Sequence, residues 1–133
     1  MDAKTKMRLE KALAVAEKCP YHECLPKMVG RDIAPPEVPE EQWDRMTMLA
    51  KDTFMDKTYP DVLLFPGQGY TCFCEECAKK TPTPGKHNKF GCGFSSQYAW
   101  RAALGNWNKA CLRFVKSSIM KTLKDPDAHD AES

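Results

Sequence analysis

Residues 71–94 read TCFCEECAKKTPTPGKHNKFGCGF, and the reading of this stretch decides what kind of fold the chain can build. Four cysteines and a histidine fall between Cys72 and Cys92, separated by short, polar or turn-forming residues. Thr81-Pro82-Thr83-Pro84-Gly85 and the lysines around it cannot bury enough apolar surface to offset the entropy of ordering them. A bound metal is the simplest agent that gives such a loop a shape. Cys74, Cys77, His87 and Cys92 form C-x2-C-x9-H-x4-C, close to the spacing of small structural zinc sites. Two residues between Cys74 and Cys77 let both thiolates face one ion, and Gly91 and Gly93 allow the tight backbone that presents Cys92. Cys72 is an alternate ligand for Cys74 or His87, because residues two apart share one face of an extended segment. A zinc ion here would supply about 10 kcal/mol or more of binding free energy, all of it available to folding.

Bulk properties set the frame. The chain has 133 residues, 42% of them hydrophobic and 29% charged, which suits one soluble domain. No apolar run approaches the roughly 20 residues that cross a membrane, and residues 2–18 read as a charged helix instead of a signal peptide. Seven cysteines, an odd number at metal-like spacing, indicate thiolate ligands in a reducing intracellular compartment, cytoplasm or nucleus, not disulfides.

Working outward, residues 1–24 comprise an N-terminal helix, Asp2 to Lys18, and a Cys/His turn. Pro20 ends the helix inside Cys19-Pro20-Tyr21-His22-Glu23-Cys24. This C-x2-H-x-C pattern is half of a second metal site, but it has no local partner and would need Cys72, Cys111 or another distant group. Free cysteines are among the most buried residue types, so core packing is the favoured reading of these three residues. Residues 25–39 hold four prolines and Gly30, and read as an extended connector. Residues 40–71 begin with an acidic helix, Glu40 to about Lys57, opened by Pro39 and two glutamates and stopped at Tyr59-Pro60. A short apolar segment follows, Val62 to Phe65, either a brief strand or a buried loop.

Residues 72–94 are the metal loop, and residues 95–124 a basic amphipathic helix that Ser95 or Ser96 caps. Trp100, Trp107 and Phe114 recur every seven residues in it, and Lys109, Arg113, Lys116 and Lys124 fall on the opposite side at about 100° per residue. Residues 125–133 form an acidic tail. The expected fold is therefore mainly α, a small domain of about three helices with an inserted zinc-stabilised loop.

Charge is distributed unevenly. Between Cys77 and Lys124 lie ten basic residues and no carboxylate, whereas Leu25 to Glu76 carries five basic and ten acidic residues and the tail adds four acids. A solvated surface ordinarily mixes both signs, so a carboxylate-free run of this length points to a polyanionic partner. Lys79, Lys80, Lys86 and Lys89 in the loop, with Arg101, Lys109, Arg113 and Lys116 in the helix, are candidates for phosphate contact. Phe73, Phe90, Phe94, Tyr98 and Trp100 interleave with them and could stack bases, which favours RNA or single strands over duplex DNA. Trp107 and Phe114 read as core. A competing arrangement docks the basic half on the acidic half, of the same chain or of a second copy.

Cys74, Cys77, His87 and Cys92, with basic and aromatic neighbours, resemble the CCHC zinc knuckle of retroviral nucleocapsid proteins. The resemblance implies a shared metal geometry over about a seventh of the chain; the longer gap before His87 and the extra Cys72 depart from that family. No P-loop, GxSxG or dinucleotide-type glycine pattern occurs. Four protein ligands leave zinc no open position for water, so the site reads as structural and the protein as non-enzymatic. The function that follows is zinc-dependent nucleic-acid binding, with a zinc-stabilised adaptor for another protein as the alternative.

Overall fold

The computed structural model describes residues 1–60, 62, 69–79 and 89–124, with the side chains of Lys79 and of residues 121–124 left out. Its elements run α1 (Ala3–Ala14), β1 (Lys27–Gly30), α2 (Glu40–Arg45), α3 (Met48–Thr58), β2 (Tyr70–Phe73), α4 (Glu75–Lys79), α5 (Lys89–Cys92), β3 (Phe94–Ser96) and α6 (Trp100–Lys124). The chain is helix-rich, as its periodicities indicate, but its centre is a three-stranded antiparallel sheet in the order β1-β2-β3. That sheet corrects the expectation of three helices and a loop.

The central strand explains why it is invisible to pattern reading. All four residues of β2, Tyr70-Thr71-Cys72-Phe73, are buried, so hydrophobic and polar residues do not alternate along it. Cα pairs Met28–Cys72 and Val29–Thr71 set its register with β1, and Thr71–Ser95 and Cys72–Phe94 with β3. The two faces nevertheless separate by parity. Met28, Tyr70 and Cys72 join Leu9, Leu104, Trp107 and Cys111 in one core cluster under α1 and α6. Val29 and Phe73 join Trp43, Met55 and Tyr59 in a second cluster under α2 and α3. Strand β1 thus lies inside the stretch read as a connector, and β2 straddles the boundary drawn at residue 72.

The acidic helix is two helices. Met46 is extended, with φ −75° and ψ 144°, and the Thr47 hydroxyl accepts a hydrogen bond from the Ala50 N–H, which starts α3 afresh. A Ser/Thr side chain that satisfies a free N–H at a helix start makes such a break inexpensive. Trp43, wholly buried, donates its Nε1–H to the Gly30 carbonyl at 2.8 Å, so α2 is tied to the end of β1.

The N-terminal helix ends at Ala14, four residues before the expected stop at Lys18. Its chain is taken over by α6: Trp107 donates its Nε1–H to the Glu17 carbonyl at 2.8 Å, and Asn108 Oδ1 accepts the Glu17 N–H at 2.9 Å. With both polar groups of Glu17 satisfied from outside, continuing the helix gains nothing there. Helix α6 starts at Trp100, and Ser96 Oγ accepts from the N–H groups of Tyr98 and Ala99 just before it.

The aromatics of this region form one assembly. Phe90 packs edge-on against Tyr21, Trp107 and Phe114 at centroid distances of 5.8, 5.5 and 6.0 Å, and Phe94 meets Phe90 and Trp107. Phe73 and Phe90 are fully buried and Phe94 is half-buried. The core reading of Trp107 therefore holds, Phe114 packs partly buried against the same cluster, and Phe73 and Phe90 are core as well.

Candidate metal centre

The turn between Cys19 and Cys24 is fixed by its own backbone. The Cys19 N–H donates to the Cys24 carbonyl at 2.9 Å and the Glu23 N–H to the Cys19 carbonyl at 2.8 Å. Glu23 takes a left-handed conformation, φ 54°, uncommon for a residue with a side chain. The result is a closed turn that directs Cys19, His22 and Cys24 toward the end of β2.

Cys74 stands between β2 and α4. Its N–H donates to the Phe90 carbonyl at 2.7 Å, its carbonyl accepts the Ala78 N–H, and its sulfur accepts the Cys77 N–H at 3.5 Å, so the thiol acts as the cap of α4. Gly91 lets α5 press against this turn: a Cβ there would lie 2.9 Å from the Cys77 carbonyl group.

Turn and cap meet. The Sγ atoms of Cys19, Cys74 and Cys77 and a ring nitrogen of His22 all lie within 4.8 Å of one another and could hold a metal ion. His22 Nδ1 is 3.2 Å from Cys77 Sγ, 3.6 Å from Cys74 Sγ and 3.9 Å from Cys19 Sγ, and the Cys19 and Cys77 sulfurs are 3.7 Å apart. Tetrahedral zinc with ordinary bond lengths separates two sulfurs by about 3.8 Å and a sulfur from a nitrogen by about 3.5 Å. The four distances given lie within a few tenths of an ångström of those values.

Without a metal, the surroundings favour the protonated thiols. Cys19, Cys74 and Cys77 are buried, and burial pushes each thiol above its ordinary value; neighbouring cysteines push Cys77 further. Three thiolates packed this closely need a cation to offset their charge. The Cys77 N–H aimed at Cys74 sulfur opposes the shift at that one position, as a hydrogen bond to the charged form does.

Of the sequence-derived ligands, Cys74 and Cys77 are in this cluster. His87 lies outside the described residues. Cys92, the half-buried last residue of α5, is not among the four. Cys72 is in the α1/α6 core, where burial and the nearby Cys111 raise its thiol well above the usual range. Cys19 and His22, read as core packing, complete the cluster with Cys74 and Cys77: Cys19 is buried, and the pair also forms half of a group that could hold a metal. Its signal was the shared two-residue spacing of CPYH and CEEC. What sequence reasoning lacked was the sheet that brings residues 50 and more apart to one point.

Among the candidate phosphate contacts, Lys89, Arg101, Lys109, Arg113 and Lys116 are exposed. Lys80 and Lys86 lie outside the described residues, as does the side chain of Lys79. Beside the metal cluster a groove of about 580 Å³ runs between the 18–23 turn and α6, lined by Pro20, Phe114, Val115 and Ile119 among others. Among the described residues no helix is long and apolar enough to cross a membrane.

No family model matches this chain, and no curated protein or solved structure is similar to it. The functional reading rests on the geometry alone.

Proposed function

We propose that the protein is a non-enzymatic, intracellular, zinc-binding protein whose metal centre is structural and whose basic C-terminal half binds nucleic acid. Cys19, His22, Cys74 and Cys77 are the proposed ligands; together they fill a tetrahedral shell and leave no position for a reacting water. The reading of the binding surface is carried by one observation: α6 exposes Arg101, Lys109, Arg113 and Lys116 and contains no carboxylate over its 25 residues. With Phe73 and Phe90 buried in the core, base stacking falls to Tyr98 and the half-buried Trp100, and phosphate contact dominates. Sequence discrimination is then weak. Three to five such contacts give a slope of log affinity against log salt of about −2.7 to −4.5 for duplex and a shallower one for single strands. Titration of a labelled mixed oligonucleotide at several salt concentrations tests this; negligible affinity at low salt, or affinity indifferent to salt, refutes it.

A second reading has its own support. Leu112, Val115 and Ile119 are each more than half exposed on α6, and Val115 and Ile119 line the groove. Apolar residues in such a row, edged by cations, suit an acidic amphipathic helix of another protein. Charge reversal at Lys109, Arg113 and Lys116 removes oligonucleotide binding under the first reading. Leu112→Ser with Ile119→Ser leaves oligonucleotide binding intact and removes partner binding under the second.

The zinc assignment is tested by metal analysis of the purified protein. One zinc per chain, lost in Cys19→Ser and in Cys74→Ser but kept in Cys92→Ser, is the expected pattern.

A further inference from the structure

The metal cluster has a fifth sulfur beside it. Cys24 Sγ lies 3.4 Å from Cys74 Sγ, closer than any two sulfurs within the four-donor set for which a distance is given above. Cys24 differs from the other thiols of the cluster in being half-exposed, while Cys19, Cys74 and Cys77 are buried. Zinc needs four ligands and the set already supplies four, so Cys24 is left as a reachable thiol pressed against a ligand thiolate.

We propose that Cys24 is an oxidation site that pairs with Cys74 and thereby expels the metal. The inference rests on the zinc reading of the cluster. Hydrogen peroxide is the oxidant. The Cys24 sulfur attacks one peroxide oxygen, forming an S–O bond and breaking the O–O bond, and water leaves with the Cys24 proton; Cys24 becomes a sulfenic acid. The Cys74 sulfur then attacks Cys24 sulfur, forming the S–S bond as the hydroxide leaves and takes a proton from solvent. In total the two sulfurs lose two electrons, peroxide gains them, two waters form, and zinc departs still divalent. A disulfide bond of about 2.05 Å requires the sulfurs to close by about 1.4 Å, a distance that rotation about the two Cα–Cβ bonds can cover.

Losing Cys74 as a ligand removes the ion that joins Cys19 and His22 to Cys77 of α4, while the new disulfide keeps the turn bonded to Cys74. Tyr21, which stacks on Phe90 and Phe114 at 5.8 and 5.3 Å, is carried by that turn, so oxidation alters the wall of the groove along α6.

The test uses the full-length zinc-loaded protein. Zinc content of the untreated wild type and of Cys24→Ser is measured first; each should hold one equivalent. Stoichiometric hydrogen peroxide is then added, zinc release is followed with a chromogenic chelator, and disulfides are mapped by mass spectrometry of proteolytic peptides. The wild type should release its zinc and yield a Cys24–Cys74 peptide pair, and a dithiol reductant should restore zinc binding. Cys24→Ser should release zinc about tenfold more slowly and give no such pair, since only buried thiolates are left to react. Absence of zinc from the untreated wild type overturns the metal reading itself. Zinc in the wild type with equal release from Cys24→Ser, or a disulfide mapped between other cysteines, overturns the switch alone. Loss of zinc from untreated Cys24→Ser makes Cys24 a ligand and equally overturns it.

Discussion

Adding zinc to the metal-free protein at pH 8 should release about three protons for each ion bound. The perturbation is zinc itself, and the count follows from the cluster. Cys19, Cys74 and Cys77 are raised by burial above an ordinary value of 9.0, so each carries its proton at pH 8 before the metal arrives. Zinc takes thiolates, so each of the three sulfurs must give up its proton to bind. The sign is therefore fixed: lowering the pH returns protons to the sulfurs and weakens binding, and raising it strengthens binding until the thiols ionise unaided. With three protons displaced, the apparent affinity changes by about a thousandfold per pH unit, equivalent to about 4 kcal/mol. Calorimetric titration in buffers of different ionisation heat reads the proton count directly. A count of about four would show that a fourth thiol replaces His22, and a count near zero, or no binding, would refute a thiolate site altogether.

Two glycines should respond with opposite signs. Gly105→Ala places a methyl where no atom lies within 4 Å, inside α6, and should stabilise by about 0.5–1 kcal/mol; Gly93→Ala, at φ +92° with a Cβ 2.3 Å from Thr71 Cγ2, should destabilise by about 1–3 kcal/mol, both read from urea denaturation of the zinc-loaded protein. Trp43→Phe keeps most of the buried ring but removes the shorter of two hydrogen bonds to the Gly30 carbonyl, which keeps the Ile33 N–H at 3.3 Å, so the same denaturation assay should show a loss of about 0.5–1.5 kcal/mol. Removing zinc with a chelator should raise amide exchange at residues 19–24 and 74–78 while α3, which packs on the other face of the sheet, keeps its protection; uniform deprotection would mean that the two layers do not separate in this way.

Local signals in the sequence identified what local physics controls. The seven-residue recurrence of Trp100, Trp107 and Phe114 located α6 because that helix buries a single stripe, in which Trp107 touches both Phe90 and Glu17. The break at Met46 was hidden because Thr47 is unremarkable in a helix until its hydroxyl is seen to cap the next one. Strands β1 and β2 were missed for the opposite reason to α6: they are covered on both faces, so no alternation marks them. The metal centre was half legible. CEEC announces itself, whereas CPYH lacks a partner nearby and becomes a half-site only through pairing across the sheet.

That pairing has a consequence for topology. A zinc knuckle closes a short local loop, but an ion held by His22 and Cys74 would close a ring of chain that contains β1, α2, α3 and β2. By analogy with a disulfide enclosing roughly 50 residues, the cross-link removes about 4 kcal/mol of entropy from the unfolded chain, over and above the bonds to the ion. Under the proposed zinc assignment the ion is a long-range tether. It can complete its shell only after the first and second thirds of the chain have found each other, so its capture would report that the central sheet has already assembled.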